Sequence, residues 1–439
     1  MARRLFSFHQ SQGDKQLLIK LAYGKDGLPV NFPDDWDVTV IEPEFIPALP
    51  DQSAAIVEAL RSPIESPPLR ELVQRADTVG IVFSDITRPT PNHIILPAVL
   101  QELSHIPDAD ITLCNALGTH RPQTEDELRT MLGEDLVNRF RIVQNDAFDQ
   151  TTQTCLGVSS FGNDIWVNRL FAECDAKILT GFIEPHFFAG FSGGGKAVMP
   201  GMGGKETIWR NHDYERMAHP KATWGITEGN PMWEEVQEAA NILNPTMLVN
   251  VTLNKNKEIT NVFAGNLHAA HREGCKFVKQ TSMRAVDAPF DIVISTNSGH
   301  PLDLNLYQSV KGMSAAAQIV KDGGAIITAA SCWDGIPEHG LYKELLYQAQ
   351  HPEDILAEIS QPGYLKQDQW QVQIQAKVQL KAEVFFYTDN LSDEELENCL
   401  LTPCHDIVAT TAMLRARYGE QARICVLPEG PQTIPYIQK

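Results

Sequence analysis

The chain has 439 residues, which suits two large domains or about three of average size. Hydrophobic residues make up 43% of the chain and charged residues 21%, which is typical of a globular protein and excludes disordered and fibrous classes. The 56 acidic and 36 basic residues give a formal charge of −20. A surface this acidic repels phosphate backbones and anionic lipids, so we expect neither a nucleic-acid partner nor a membrane partner.

The N-terminus and the cysteines predict a cytoplasmic protein. Arg3 and Arg4 are not followed by an apolar run of signal-peptide length. The longest apolar stretches, such as residues 93–100, are far too short to cross a membrane. Eight cysteines are scattered without a Cys-x-x-Cys pair, which favours reduced thiols over a disulfide framework or a zinc site.

Apolar, β-branched runs alternate with helical patterns along most of the chain. This alternation predicts βαβ units and a largely parallel sheet. We also expect a hairpin between residues 247–254 and 258–264. The predicted strands cover residues 78–84, 111–116, 141–144, 176–181, 291–295, 325–329, 383–387 and 423–427.

Two helix starts are marked by proline or by a capping pattern. One helix is predicted from Ser66, with Pro67 and Pro68 in its first turn. Another is predicted from a capping box on Thr124, with Gly133 as its stop. A polar stretch at residues 280–289 then divides the chain into two α/β blocks.

Polar and charged residues follow several of the predicted strands. Ligands of open α/β sheets bind beyond the carboxyl ends of the strands, so side chains in these positions share one rim. We therefore predict a functional site there. The residues that follow the strands include Asp85, Thr87, Arg88, His120, Glu184, His186, Asn297 and Asp303.

A glycine-rich segment from Gly190 to Lys196 matches most of a phosphate-binding P-loop. Ala197 stands where a P-loop has a magnesium-binding serine or threonine, and the preceding strand ends about nine residues too early. Three interpretations stay open: a nucleotide site, a glycine loop kept for tight turning, or a cofactor loop whose lysine is a nucleophile or cation.

Three of the thirteen histidines stand out. His120 and His186 follow strand ends, and His212 comes soon after the segment 205–207. Each could be structural, but beside Lys196 two of them could act as acid and base while the third binds a soft metal. The histidines expected at the surface are His9, His105, His268, His271, His351 and His405.

Another candidate group lies on one predicted helix. Tyr307, Gln308 and Lys311 share this helix, which Asp303 could cap, and Tyr307 and Lys311 are neighbours on one face. They form either an exposed polar face or part of a site. Arg88 could grip a carboxylate through its planar guanidinium, or it could form a surface ion pair with the neighbouring aspartate.

Five blocks contain most of these residues, in one order along the chain. Together they resemble the nickel-dependent lactate racemase family, and the resemblance spans residues ~80 to ~370. The blocks are SDITRP at 84–89, GTHRP at 118–122, HFFAGFSGGGKAVMPG at 186–201, PLDLNLYQSVKG at 301–312 and DQW at 368–370.

The resemblance implies two α/β domains with largely parallel sheets and an active site in the cleft between them. Residues 1–284 would form the N-terminal domain, with the cofactor loop and the catalytic histidines, and residues 285–420 the C-terminal domain. Residues 421–439 would return to the N-terminal domain. The implied cofactor is a nickel-pincer pyridinium mononucleotide with thioamide and thiocarboxylate sulfurs, which separate biosynthetic enzymes load.

The resemblance also implies a role for each matching residue. Lys196 would join the cofactor covalently, and His212 would complete the coordination of nickel. His120 and His186 would be the acid/base pair on opposite faces of the substrate. The implied substrate-binding residues are Arg88, Tyr307, Gln308 and Lys311, and the further cofactor-binding residues are Asp85, Thr87, Gly193, Gly194 and Trp370.

The implied reaction inverts C2 of a 2-hydroxy acid through a 2-keto acid, by reversible hydride transfer. Hydride removal avoids the second negative charge that loss of a C2 proton would place beside the carboxylate. Gly195 and His300 depart from the family pattern, where arginine and a bulkier aromatic residue are common. We expect both at the pocket rim, which leaves open whether the substrate is lactate or a larger 2-hydroxy acid. The alternatives are a nucleotide-dependent transferase that uses the 190–196 loop and a non-catalytic nickel-cofactor carrier.

Overall fold

The structure is a computed structural model that describes residues 16–338 and 340–438. Arg3 and Arg4 of the basic N-terminus, and His9, which we expected at the surface, lie outside the described residues. Within the described ranges, no helix combines the length and the apolar character that a membrane span requires.

Strands and helices alternate through the described residues. The strands are β1 (Gln16–Leu21), β2 (Leu28–Pro33), β3 (Val38–Val40), β4 (Val79–Ser84), β5 (Ile111–Ala116), β6 (Arg141–Gln144), β7 (Gln153–Val158), β8 (Asp164–Asn168), β9 (Ala176–Phe182), β10 (Pro185–His186), β11 (Gly190–Phe191), β12 (Met247–Leu253), β13 (Ile259–Gly265), β14 (Met283–Val286), β15 (Phe290–Thr296), β16 (Val320–Ala329), β17 (Ala382–Tyr387), β18 (Thr402–Pro403), β19 (Ile424–Leu427) and β20 (Ile434–Ile437). The helices are α1 (Gln52–Arg61), α2 (Leu69–Leu72), α3 (Asn92–Glu102), α4 (Glu125–Leu132), α5 (Glu134–Arg139), α6 (Arg169–Glu173), α7 (Lys205–Asn211), α8 (Tyr214–Ala218), α9 (Pro231–Leu243), α10 (Leu267–Ser282), α11 (Leu306–Ala317), α12 (Tyr342–Tyr347), α13 (Pro352–Ile359), α14 (Gln369–Lys381), α15 (Asp393–Asn398) and α16 (Ile407–Tyr418).

The first large sheet has the strand order β13-β12-β9-β4-β5-β6. β12 and β13 form the predicted antiparallel hairpin, and the other neighbours are parallel. Chain order runs outward from β4 towards β6 on one side and from β9 towards β13 on the other. The sheet therefore has a switch point between β4 and β9, where a crevice opens at the carboxyl ends of the strands.

The second large sheet has the order β18-β17-β16-β15-β19-β3 and is parallel throughout. Two large, mainly parallel sheets with helices confirm the predicted α/β fold class. β19 belongs to the segment 421–439, which we expected to return to the N-terminal domain, but it lies inside the second sheet between β15 and β3. The following strand, β20, pairs with β14 at the junction of the two blocks. Strands from both ends of the chain thus enter the second sheet. The boundary between the two domains at residues 284 and 285 stays a prediction.

Of the two predicted helix starts, the one at Thr124 is confirmed and the one at Ser66 is shifted along the chain. Thr124 and Glu127 form the predicted capping box of α4, and Gly133 ends that helix. The helix predicted from Ser66 begins later, because Pro68 is the N-cap of α2 and not part of its first turn. Its extended backbone, with ψ of 144°, keeps it outside the helix.

Asp303 does not cap α11, as the sequence had suggested. Asn305 is the N-cap, and its side chain accepts a hydrogen bond from the Gln308 amide. The Asp303 carboxylate instead accepts hydrogen bonds from the backbone amides of Gly24 (2.7 Å) and Ser331 (3.0 Å). Asp303 therefore links the turn between β1 and β2 to the segment that follows β16.

Candidate active site

A cavity of about 190 Å³ lies at the carboxyl ends of β4, β5 and β9, at the switch point of the first sheet. Side chains from α11 and α14 line its other wall, so the cavity lies in the cleft between the two halves of the chain. All predicted site residues line it except Thr87 and Gly194. The predicted residues that it brings together are Asp85, Arg88, His120, His186, Gly193, Lys196, His212, Tyr307, Gln308, Lys311 and Trp370.

β4 and β5 place a buried aspartate against a histidine. Asp85 is only 2% exposed, and its Oδ2 lies 2.5 Å from His120 Nδ1. Thr87 donates to Asp85 Oδ1 through its amide (2.8 Å) and its hydroxyl (2.6 Å). Burial would raise the pKa of Asp85, but the contact with His120, the charge of Arg88 and the Thr87 hydrogen bond outweigh it and hold that pKa well below its usual range. The carboxylate therefore fixes the proton of His120 on Nδ1 and leaves Nε2 free to act as a base.

The hairpin of β10 and β11 brings His186 against the side chain of Lys196. His186 Nδ1 accepts a hydrogen bond from the Ala189 amide (3.3 Å), and His186 Nε2 lies 3.3 Å from Lys196 Nζ. Burial, and the charge of Lys196 whenever that amine is protonated, lower the pKa of His186 well below its usual value, so the ring is neutral. Because Nδ1 is an acceptor, the proton is on Nε2, and the Lys196 amine must accept it as a neutral group.

Lys196 is surrounded by other cations. Burial lowers its pKa to about 7, and the charges of Arg88 and Lys311 act in the same direction. A buried amine with this pKa is largely unprotonated just above neutral pH, which is the form that attacks carbon. The geometry around Lys196 therefore suits a nucleophile better than a permanent cation.

His212 is the C-cap residue of α7, and its Nε2 has no hydrogen-bond partner among the described residues. Its Nδ1 donates to the Ile208 carbonyl at 2.8 Å, and its ring packs against Phe188 and Trp370 with centroids 5.2 and 5.1 Å away. Burial and the charge of Lys196 lower the pKa of His212 to about 3, so the imidazole is neutral. A neutral imidazole that donates one N–H to a backbone carbonyl is typical of metal-binding histidines.

α11 and α14 complete the cavity from the second half of the chain. Trp370 Nε1 donates to the Tyr307 hydroxyl at 3.0 Å, and the Gln371 side chain donates to the Tyr307 carbonyl. Lys311 lies one turn after Tyr307, and burial, together with Arg88, lowers its pKa to about 8. The predicted polar face of this helix is thus turned into the cleft and not to solvent.

Glu184 is a site residue that the sequence placed after a strand but gave no role. It lines the cavity and a neighbouring one of about 250 Å³, which shares Arg88, His186 and Lys311 with it. Burial raises the pKa of Glu184, and Lys311, Arg88 and Lys196 oppose that shift. Its place two residues after the buried end of β9 is the sequence feature that could have identified it.

His271 was expected at the surface, but it is only 4% exposed. It lies on the inner side of α10, together with Leu267, Gly274 and Val278, which are also buried. This spacing of four, three and four residues marks a buried helix face and could have corrected the expectation.

The two departures from the family pattern do not lie at the pocket rim. A Cβ at Gly195 would meet the Ala240 side chain at 3.1 Å, because Gly195 packs against α9. His300 is exposed beside Trp333, with ring centroids 6.0 Å apart. Neither lines the cavity, so the substrate cannot be inferred from these two residues.

The 190–196 loop differs from a nucleotide-binding P-loop. In a P-loop the lysine begins a helix whose N-terminus faces the phosphates. Here Lys196 lies in a single 3-10 turn, Gly194–Ala197, and the next helix starts only at Lys205. This geometry argues against the transferase alternative.

The fold and the cavity define a two-domain α/β enzyme whose cleft contains paired histidines, a buried lysine and a free imidazole. Family models for the lactate racemase N-terminal domain and C-terminal domain match residues 23–225 and 285–434. The chain belongs to the lactate racemase family, and its enzyme class is that of the isomerases.

Similar proteins cover nearly the whole chain. The lactate racemase of Lactiplantibacillus plantarum is 38% identical over 86% of this chain and 90% of its own length. That of Thermoanaerobacterium thermosaccharolyticum is 34% identical over 95% of this chain and 98% of its own. The solved structure of the T. thermosaccharolyticum lactate racemase apoprotein has a TM-score of 0.89 at 32% identity and covers 96% of this chain and 100% of its own. A Thermotoga maritima protein shares the fold alone, with a TM-score of 0.68 at 18% identity over 90% of this chain and 100% of its own.

Proposed function

We propose that this protein racemises lactate, or inverts C2 of a larger 2-hydroxy acid, by reversible hydride transfer with a nickel-pincer nucleotide. The observation that carries the proposal is the convergence of Lys196, His212 and two further histidines on one cavity. Of these two, His120 carries its proton on Nδ1 and His186 carries it on Nε2. The lactate racemases at 34–38% identity support the substrate class. We also propose that cofactor-biosynthesis enzymes load the protein and that it works in the cytoplasm.

The residues present suit the proposed cofactor. The neutral amine of Lys196 would form the covalent link, and His212 Nε2 would supply one metal ligand, while a pincer would provide the others. Trp370 packs against His212 and would cover the pyridinium ring, and Gly193 lines the same wall. When bound, the cofactor would supply a hydride acceptor that returns the hydride to either face of C2.

Side chains of this chain would bind the substrate and transfer the protons. Arg88 and Lys311 would hold the substrate carboxylate, with Gln308 beside them. His120 Nε2 is free to take the hydroxyl proton, since Asp85 holds Nδ1–H. His186 carries its proton on Nε2 and would supply it when the keto group is reduced. The cleft between the halves would keep water away from the keto acid.

Arg88 lets the carboxylate role be tested by substitution. Arg88→Ala should raise KM for the 2-hydroxy acid by roughly 10–100-fold, because a charge-assisted hydrogen bond to a carboxylate is lost. Initial rates measured against substrate concentration check this result. Arg121→Ala is a matched control, because Arg121 pairs with Glu127 at the surface and does not line the cavity. Equal KM values for the two variants would exclude the carboxylate role.

Racemisation in deuterium oxide distinguishes the proposed chemistry from its rivals. Loaded protein is given one enantiomer, and the product is analysed by chiral chromatography and mass spectrometry. Hydride transfer predicts that the new enantiomer retains hydrogen at C2, whereas removal of a C2 proton would introduce deuterium. A cofactor carrier would give no product at all. Deuterium at C2, or no turnover by nickel-loaded protein, would refute the proposal.

A further inference from the structure

The loop of residues 190–196, which we call the glycine loop, is held from outside the cavity by His271. His271 Nε2 lies 2.8 Å from the carbonyl oxygen of Ser192 in this loop. A carbonyl can only accept, so the ring carries its proton on Nε2 and donates it. Cys275, one turn further along α10, places its Sγ over the face of the ring, 3.3 Å from Nδ1 and 3.6 Å from Nε2.

The ring of His271 also fills the space beneath Gly194. A Cβ added at Gly194 would lie 2.7 Å from His271 Cδ2, and Gly194 has the positive φ of +57°. The ring stacks on Trp233, with centroids 4.7 Å apart and planes inclined by 22°. His271 is therefore enclosed between a tryptophan and the backbone of the glycine loop.

The hydrogen bond from His271 to Ser192 keeps its direction at neutral pH, because the imidazole is neutral. Burial lowers the pKa of His271 to about 4, although the hydrogen bond to Ser192 opposes the shift. Burial also raises the pKa of the Cys275 thiol well above its usual value. At neutral pH the thiol keeps its proton and the ring is neutral, so its Nε2–H donates to the loop. The hydrogen bond to Ser192 and the packing of the His271 ring thus connect α10 to the glycine loop.

We propose that His271 is a positioning residue for Lys196: its hydrogen bond to Ser192 and its packing beneath Gly194 set the 3-10 turn that holds the lysine amine beside His186. The Asn250 side chain supports the same turn by accepting a hydrogen bond from the Gly194 amide at 2.8 Å. The meaning of this arrangement for catalysis rests on the proposed function, in which Lys196 is the cofactor-bearing amine. The geometric effect on Lys196 can be measured without any cofactor.

The experiment measures the pH profile of Lys196 acetylation by acetic anhydride in the unloaded full-length protein, by peptide mass spectrometry. The charged or titratable groups that face Lys196 are Arg88, Lys311, Glu184, His186 and His212. These groups and burial set a midpoint near 7 in the wild-type protein.

His271→Phe keeps a ring against Trp233 but removes the donor to Ser192. We expect its Lys196 midpoint to rise by about one unit, with about fivefold slower labelling at pH ~7, because the relaxed turn admits water to the amine. His271→Gln can still donate to Ser192 and should restore most of the wild-type profile. His268→Phe is the matched control, since His268 is exposed on the same helix.

A lower melting temperature with an unchanged Lys196 midpoint in His271→Phe would show a purely structural role and overturn the inference. Failure of the glutamine variant to restore the profile, when the phenylalanine variant shifts it, would exclude the hydrogen bond. If neither variant folds, the Asn250→Ala variant, which removes the other support of the turn, must shift the midpoint or the inference fails. A shifted midpoint in a protein that never takes up nickel would refute the proposed function but leave this inference intact.

Discussion

Lys196→Ala should leave a folded protein that acquires no attached cofactor and racemises at least about 10³-fold more slowly, the scale of loss when a nucleophile is removed. The alanine variant removes the neutral amine that lies 3.3 Å from His186 Nε2. Protein co-produced with the loading enzymes is analysed for intact mass, nickel content and racemase rate. The wild-type protein should carry one adduct on Lys196 and about one nickel per chain.

A matched control for this substitution is Lys205→Ala. Lys205 starts α7 and contacts the rings of Phe148 and Trp209, away from the cavity. This variant should take up the adduct and racemise like wild type. Normal loading and turnover of Lys196→Ala would refute the role of Lys196, whatever the control does.

The lowered pKa of Lys196 also predicts how stability depends on pH. The unfolded chain binds a proton at this lysine up to about 10.5, whereas the folded chain releases it at about 7. Between these values the unfolded state binds more protons, so this group makes the protein more stable as pH rises. Lys196→Met should therefore raise the melting temperature of the unloaded protein most at or below pH ~7, with a gain that fades towards pH ~10. A gain independent of pH would contradict the lowered pKa.

Much of the fold and the site follows from sequence because both depend on local patterns. Asp85 directly follows the buried strand β4 and His120 follows shortly after β5, and parallel strands bring such positions to one edge. The resemblance of residues 190–196 to a P-loop was misleading, because glycine at position 194 serves packing and not phosphate binding. A side chain at Gly194 would collide with the His271 ring. Short-range patterns thus located the site but not what packs beneath it.

Long-range contacts account for the features that the sequence did not predict. Asp303 looked like a helix cap, since capping is a local rule, but its partners Gly24 and Ser331 are 279 and 28 residues away. β3 has three residues and joins the second sheet by pairing with β19, near the other end of the chain. A three-residue segment has too short a pattern to predict such a partner.

Asparagine at either of the two histidines proposed as acid and base should lower racemisation by about 10²–10⁴-fold, the usual contribution of a general acid or base. Neither His120→Asn nor His186→Asn should change the Lys196 adduct or the nickel content, because neither residue is a proposed ligand. His93→Asn is the matched control, since His93 is exposed on α3, directly after the site strand β4.

The two histidine variants should differ from each other in single turnovers. His120 and His186 would serve opposite faces of C2, so each variant keeps the base for one enantiomer only. In acid-quenched reactions with loaded protein in excess, His120→Asn should form the 2-keto acid from one enantiomer and His186→Asn from the other. The keto acid can be measured by hydrazone derivatisation. If both variants form it from the same enantiomer, the histidines do not act on opposite faces. If both retain full racemisation, neither is the acid or the base, and the proton must be carried by another group in the cleft, of which Glu184 is the first to test.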